Sequence, residues 1–524
     1  MTSRPRSTVL LASLSLVLGL TAAAAADTAD PLTTDLDRLL GDPRLASSAV
    51  GLVVRDADTG DALYRRSGHT RFQPGSTAKI VTSAVALDGL GPDHRWRTDL
   101  ATTAVVQGDE LAGDLYLRGT GDPTMLAQDY DALAAQLAAT GVRTVRGELV
   151  ADDTWFDSVP LATGWAWDDE PHYYSAQTSA LTFAPDTDYD SGAVAVRVSP
   201  GAAGGPPQVT VTPPVALDIR NTATTTAGGG GVQVNREHGG NVVHVSGSIA
   251  PGAAAQAAYI SVDDPTRLVA GLFRASLAAK GITVTGGTGF RATPAAARVL
   301  ATRQSMPLRE LLVPFLKLSN NMHGEVLIKT LGRKFHGQGS WPAGIRALES
   351  LLPGLGADPL TMNLFDGSGL SRMNVLSPDL MTQVLRSARA KPWFRSWYDA
   401  LPVAGRSDRM EGGTLRGRMA GTAAAGNVHA KTGTLTGITG LAGYVTNADG
   451  RKLVFSLMFN NFVSGVPRDI EDAIAVRLAS DRAGQSQPGA RARHRDAPGT
   501  APKVGPGIGS DPVRDLECSW TKSC

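Results

Sequence analysis

Cysteine is almost absent from this chain: there are two in 524 residues, Cys518 and Cys524, both at the C-terminal end. So sparse a supply excludes a disulfide-stapled scaffold; the pair could close a small loop in an oxidising compartment or stay as two thiols in a tail. An excess of one charge sign is missing too, with 50 Lys+Arg against 49 Asp+Glu and a net charge of +1. That balance offers no electrostatic case for binding nucleic acid. Beyond the N-terminus no apolar run approaches the roughly 20 residues of a membrane-spanning helix. No Gly-Lys dipeptide occurs, which excludes a P-loop, and no His is followed by Glu, which excludes the helical zinc-protease motif. No Ser has Gly two residues before and two after it, which argues against an α/β-hydrolase nucleophile elbow. The 59 Gly and 31 Pro follow no period, so a collagen-like reading fails.

What is present describes an exported globular protein. The length corresponds to about three to four domain-sized units, and 42% hydrophobic with 19% charged residues suits a sizeable core. Arg4 and Arg6 precede an apolar run from Val9 to Leu20, followed by Thr21 and the small residues Ala22 to Ala26. A basic start, a short apolar stretch and a small-residue exit make residues 1–26 a secretory signal peptide, with an uncleaved anchor as the alternative. Its removal takes away two arginines and no acid, leaving a net charge of −1. Residues 484–524, rich in Gly, Pro, Ala and Arg, read as a disordered tail. The basic cluster Arg491, Arg493, His494 and Arg495 within it is better read as solvated than as a contact for anionic wall polymers.

Between these ends the pattern is readable. Residues 31–41 predict an amphipathic helix stopped at Gly41. Residues 48–66 predict two strands around Asp58-Thr59-Gly60, and the break at Pro74-Gly75 precedes a helix from Ser76 to Leu90. Residues 92–295 change character, with short β-like runs such as Val194–Val198 and Val242–Val245 and one helix at 265–281. Helical periodicity dominates 307–352, two strands follow at Leu441–Thr446 and Leu453–Phe459, and a last helix covers 467–481. A helix and hairpin at the start can share one antiparallel sheet with the hairpin and helix at the end, making the middle block an insertion. The expected units are therefore 27–91 and 296–483 as one domain, with 92–295 inserted as β-rich domains.

Three short motifs carry chemistry: Ser76-Thr77-Ala78-Lys79, Ser319-Asn320-Asn321 and Lys431-Thr432-Gly433. Ser-x-Asn and Lys-Thr-Gly each occur once, whereas a second Ser-x-x-Lys lies in the tail at Ser519. The first opens a predicted helix, the second lies between helices and the third runs into a predicted strand. A serine hydroxyl attacks only when a base takes its proton. At a helix start, positions i and i+3 share a face, so Lys79 can reach Ser76. Lysine acts as a base only when neutral; bringing its ordinary pKa of about 10.4 down toward 7 costs about 4 kcal/mol. Burial and a second cation, for which Lys431 is the candidate, both push that way. Ser319 can relay a proton toward the leaving amine, and Asn321 offers a donor and an acceptor to a substrate amide. The strand of Lys431 can add an extended peptide as a further strand. The backbone N–H groups of Ser76 and Thr434 would form an oxyanion hole.

These motifs resemble those of penicillin-binding proteins and serine β-lactamases. Further stretches are similar to the class C low-molecular-mass penicillin-binding proteins: Gly121-Asp122-Pro123-Thr124, Tyr173-Tyr174-Ser175-Ala176, Ser179-Ala180-Leu181-Thr182, Asp366–Arg372 and Gly426–Leu435. That group contains D-alanyl-D-alanine carboxypeptidases and endopeptidases with a large insertion between the first two motifs, and here Ser76 and Ser319 stand 243 positions apart. The resemblance implies an α/β (α+β) transpeptidase-like fold: an antiparallel sheet flanked by helices, an all-α subdomain and inserted β-rich domains. It implies a cell-wall enzyme without metal or other cofactor, cutting peptidoglycan peptides that end in D-Ala-D-Ala through a Ser76 acyl-enzyme. Lys79 would be the base, Lys431, Thr432 and Thr434 would take the terminal carboxylate beside Gly433, and β-lactams would acylate Ser76. Two other functions compete. A serine β-lactamase is disfavoured because no Glu-x-x-Leu-Asn follows Ser319 and the insertion is foreign to small β-lactamases; a non-catalytic penicillin-sensing protein is disfavoured by intact motifs. His323 reads as a core histidine more readily than a metal ligand, and Asp366–Gly369 as a turn near the site. The run Trp165, Trp167, Tyr173 and Tyr174 reads as packing more readily than sugar stacking. Residues 405–411 lengthen the loop before Gly413-Thr414-Leu415.

Overall fold

The computed structural model describes residues 1–2 and 30–482. The expected signal peptide and tail, with Cys518 and Cys524, lie outside the described residues apart from the first two.

The two ends of the described body build one sheet. Five antiparallel strands run in the order Ala62–Arg66, Ala49–Asp56, Lys452–Asn460, Ile438–Thr446, His429–Leu435. Alternation sorts their side chains: Phe455, Leu457 and Phe459 face a core with Leu36 and Leu39 of helix Pro31–Leu40 and Ile470 and Ile474 of helix Arg468–Ala479. Val454 and Met458 face the opposite core, with Ile80 and Val81 of helix Ala78–Leu90 and Leu380 and Met381 of helix Pro378–Ala388. The sheet is thus sandwiched between helices, the usual way to bury two apolar faces. Helix Ala78–Leu90 is buried nearly all round because helices Leu308–Lys317, Asn321–His336 and Trp341–Leu351 cover the side away from the sheet. These elements match the predicted ones, and Gly60 supplies the left-handed turn residue of the first hairpin at φ +88°.

The middle block is mixed rather than purely β. Strands Thr288–Phe290, Leu149–Asp152, Leu115–Gly119, Arg97–Thr102 and Arg298–Gln304 form a second five-stranded sheet. Leu115–Gly119 and Leu149–Asp152 run parallel, and helix Ala127–Ala139 lies between them in the chain. The sequence reading placed only one helix here, Pro265–Ala279, and missed Ala127–Ala139. Both helices bury Leu133, Leu137, Phe273 and Leu277 against the sheet residues Leu117 and Leu149. Antiparallel strands Gln208–Thr212, Ala193–Ser199 and Gln256–Ser261 make a third sheet, beside a four-stranded sheet at 218–249 and another of the short strands Thr283–Val284, Thr144–Val145, Glu110–Leu111 and Val106–Gln107. The return strand Arg298–Gln304 pairs with Arg97–Thr102, so the chain leaves and re-enters the first domain through neighbouring strands.

Candidate active site

The first motif sits on a tight turn. Residues Gly75–Thr77 form one turn of 3-10 helix that leads into helix Ala78–Leu90. Gly75 has φ +51°, and a Cβ there would stand 3.2 Å from the Thr434 nitrogen, so neither its conformation nor its space admits a side chain. Thr77 ties the turn by donating from Oγ1 to the Pro74 carbonyl at 2.7 Å. Ser76 and Lys79 thereby fall on one face, and Lys79 Nζ lies 2.8 Å from Ser76 Oγ.

The second motif arrives on helix Asn321–His336. Lys79 Nζ donates to Asn321 Oδ1 at 2.8 Å, and Asn321 Nδ2 donates to the Tyr174 carbonyl at 2.8 Å, which fixes which way the amide points. Ser319 is 1% exposed, holds φ +60°, and its Oγ has no hydrogen-bond partner among the described residues. A non-glycine residue in the left-handed region with a free buried hydroxyl is the kind of strain that collects at functional sites. Asn320 caps the same helix and reaches into the inserted block, donating to the carbonyls of Asp188 and Tyr189 and to Asp190 Oδ1 at 3.2, 3.0 and 2.8 Å.

The third motif lies in edge strand His429–Leu435. The backbones of this strand and the serine turn touch: a Cβ on Gly433 would come 2.6 Å from the Pro74 oxygen and 3.0 Å from the Ser76 nitrogen. Ser76 and Thr434 main-chain nitrogens therefore flank the same small space. Lys431 is fully buried and its Nζ donates to the Thr432 carbonyl at 2.8 Å. Thr432 Oγ1 hydrogen-bonds Thr414 Oγ1 at 2.8 Å.

Three expectations about neighbouring residues can be placed. Asp366–Gly369 is a turn beside the site, and its Ser368 carbonyl accepts from Lys79 Nζ at 2.8 Å. His323 is buried, bonds the Tyr189 carbonyl through Nε2 at 2.9 Å, and burial drives its pKa down to about 3. Among the described residues no group of three or more His, Cys, Asp or Glu side chains is placed to hold a metal. Of the aromatic run, Tyr173 and Tyr174 are buried, while Trp167 is 75% exposed and stacks on His238 at 3.6 Å. The sequence reading placed the turn with Ser368 near the site and singled out the stretches with Tyr174 and Thr414 but assigned none of their contacts; the first two act through main-chain oxygens, which any residue supplies, so composition carries no sign of them. Loop 405–411 is tied down by Arg409, which bonds both Asp188 oxygens at 2.7 Å.

The sequence matches the model of the D-Ala-D-Ala carboxypeptidase 3 (S13) family over residues 32–481. It is 44% identical over 499 residues to a D-alanyl-D-alanine carboxypeptidase of an Actinomadura species, covering 94% of this chain and 90% of that protein. It is 26% identical over 424 residues to the D-alanyl-D-alanine carboxypeptidase DacB of Haemophilus influenzae, covering 80% and 86%. The crystal structure of penicillin binding protein 4 (dacB) from Haemophilus influenzae superposes with a TM-score of 0.72 at 26% identity, covering 82% of this chain and 94% of that one.

Proposed function

This chain belongs to the D-Ala-D-Ala carboxypeptidase 3 (S13) family, a family of serine peptidases, and from that premise we propose that its D-Ala-D-Ala carboxypeptidase reaction runs through Ser76. The observation that carries the reading is Lys79 Nζ standing 2.8 Å from both Ser76 Oγ and Asn321 Oδ1, in a buried site. Ser76 Oγ attacks the carbonyl between two D-alanines while neutral Lys79 takes its proton. The developing oxyanion is held by the N–H groups of Ser76 and Thr434, each typically worth about 10²- to 10³-fold in rate. Ser319, whose hydroxyl is otherwise uncommitted, hands its proton to the departing D-alanine nitrogen and takes back the one that Lys79 removed from Ser76, which leaves Lys79 neutral. Asn321 orients the substrate amide, and Lys431 with Thr432 and Thr434 takes the terminal carboxylate along the strand that carries Gly433. Water then hydrolyses the ester, with Lys79 again as base.

The substrate is a peptidoglycan stem peptide ending in D-Ala-D-Ala, and β-lactams acylate Ser76 as mimics of it. The site of action is extracytoplasmic, at the cell wall; among the described residues no helix is long and apolar enough to cross a membrane. The same reading divides the chain into a transpeptidase-like domain and an inserted part, expected from the sequence as 27–91 with 296–483 and as 92–295; the pairing of Arg298–Gln304 with Arg97–Thr102 favours carrying the inserted part on through that strand, with the second transpeptidase-like segment beginning after it. The test is to incubate the protein with diacyl-Lys-D-Ala-D-Ala and, separately, with benzylpenicillin. D-Ala release and a penicilloyl mass on the peptide containing Ser76 are expected, both abolished in Ser76→Ala. Undiminished D-Ala release by Ser76→Ala would overturn the assignment.

A further inference from the structure

Turn Asp366–Gly369 touches Lys79 and is held from behind by a buried acid that the reaction scheme leaves unused. Glu325 is fully buried on helix Asn321–His336, four residues after Asn321 and so on the same face. Its Oε2 accepts from Gly367 N at 3.1 Å and Trp341 Nε1 at 2.7 Å, and its Oε1 accepts from Ser368 N at 2.9 Å. The other groups of the turn are committed as well. Asp366 Oδ1 accepts from Gly369 N at 2.9 Å, and the Gly367 carbonyl accepts from Thr82 Oγ1 at 2.8 Å. The Ser368 carbonyl accepts from Lys79 Nζ. Helix and turn are in backbone contact here, since a Cβ on Gly367 would stand 2.1 Å from the Gly324 oxygen.

The consequence concerns where the lysine lone pair goes. A neutral amine has two N–H groups and one lone pair. Asn321 Oδ1 and the Ser368 carbonyl can only accept hydrogen bonds, so each takes one N–H, and the lone pair is left facing Ser76 Oγ. Asn321 is fixed by Tyr174; the peptide that carries the Ser368 carbonyl is held at its Gly369 N–H by Asp366, and the two peptides leading into it are held by Glu325. We infer that Glu325 is a positioning residue for acylation: by pinning the Gly367 and Ser368 amides it holds the two peptides that lead into the Ser368 carbonyl, and so, together with Asp366, sets the acceptor that turns the lone pair of Lys79 toward Ser76. Burial and the neighbouring Asp366 push the Glu325 carboxyl pKa up, so this acid sits in an unfavourable setting that its three N–H donors offset. The inference rests on Lys79 being the base.

Glu325→Gln is nearly isosteric but replaces one acceptor oxygen by an NH₂ that opposes an N–H donor. Displacing a reacting group by about 1 Å costs on the order of 10²-fold. Pre-steady-state acylation of Glu325→Gln by benzylpenicillin should fall 10- to 100-fold, with kcat for diacyl-Lys-D-Ala-D-Ala reduced and KM little changed. The ascending limb of the rate against pH should also move, because the protonation of Lys79 depends on its acceptors. Val326→Ala, a core change one residue along the same helix, should lower the melting temperature and leave that limb in place. If Glu325→Gln does not fold, Glu325→Asp, whose carboxylate is one methylene short, is measured in the same way. A Glu325 variant with a rate within twofold of wild type and an unmoved limb, beside an inactive Lys79→Ala, overturns the inference and spares the base assignment. An active Lys79→Ala overturns the base assignment and the inference with it. Failure of both Glu325 variants to fold makes the residue structural and also overturns it.

Discussion

At the scale of single residues, the meeting of Ser76, Lys79 and Asn321 was readable because it is made by their side chains. Ser76, Lys79 and Asn321 converge within 2.8 Å hydrogen bonds, as the i, i+3 spacing and the helix start required. The Ser368 and Tyr174 carbonyls were not readable, since a main-chain oxygen leaves no mark on composition. His323 was read as a core histidine, and its environment has a measurable consequence. Burial holds its pKa at about 3 in the folded protein against an ordinary 6.5. The native ring is therefore neutral, while the unfolded chain takes up a proton below pH 6.5. The stability from this group is fully present above pH 6.5 and is lost progressively as pH falls toward 3. By pH 5 the loss from His323 is about 2 kcal/mol. His323→Gln can still donate to the Tyr189 carbonyl but does not titrate. Unfolding free energies from denaturant titration at pH 7 and pH 5 should differ less in His323→Gln than in wild type, by about that amount. His94 and His429, each driven down to about 4 by burial, leave a common residual slope in both proteins. Equal slopes for the two proteins would show that His323 is not the group being titrated.

At the scale of elements, the site depends on a strand and a helical turn approaching without side chains between them. Strand His429–Leu435 meets the turn Gly75–Thr77 at Gly433, where a Cβ would lie 2.6 Å from the Pro74 oxygen and 2.9 Å from the Thr77 nitrogen. Backbone atoms cannot rotate away as a side chain can, so Gly433→Ala should push the strand off the turn. The Thr434 N–H then misses the oxyanion, and acylation by benzylpenicillin should drop on the order of 10²-fold. Gly417→Ala, with open space around it, should acylate at the wild-type rate with an unchanged melting temperature. Wild-type acylation by Gly433→Ala would mean that strand and turn are not coupled in this way. Most elements were visible beforehand because hairpin turns and helix stops carry Gly, Pro and Asn signals. Helix Ala127–Ala139 was missed although Tyr130, Leu133, Ala134 and Leu137 recur at i, i+3, i+4 and i+7. Its short alanine-rich face is weak beside the β-like runs around it. The parallel strands it connects are likewise invisible locally, because pairing direction is a property of two distant segments.

At the scale of the whole molecule, the inserted block is not an appendage to the site. Its loop at 188–190 receives Asn320 and His323 from the second motif and Arg409 from the lengthened loop 405–411, and its Tyr174 receives Asn321. The change in composition after residue 92 and the spacing of the motifs pointed to an insertion, but not to its reaching back. Asn320 stands at the unspecified position of Ser-x-Asn, where the motif assigns no role. Three donor contacts from one buried amide make it a strut between domains. Asn320→Ala removes one donor each from the Asp188 and Tyr189 carbonyls, of which Tyr189 keeps His323 Nε2, at about 1 kcal/mol per hydrogen bond lost. It also removes the cap on helix Asn321–His336, worth about 1 kcal/mol. Because Ser319 and Asn321 flank it, the loss should appear in chemistry as well as in stability: a lowered denaturant midpoint together with acylation slowed at least tenfold. Asn320→Ser separates the two effects, since a serine caps the helix but cannot span to the 188–190 loop. It should recover part of the midpoint and little of the rate. Should Asn320→Ala acylate at the wild-type rate despite its lowered midpoint, the insertion would steady the fold without holding Ser319 and Asn321 in register.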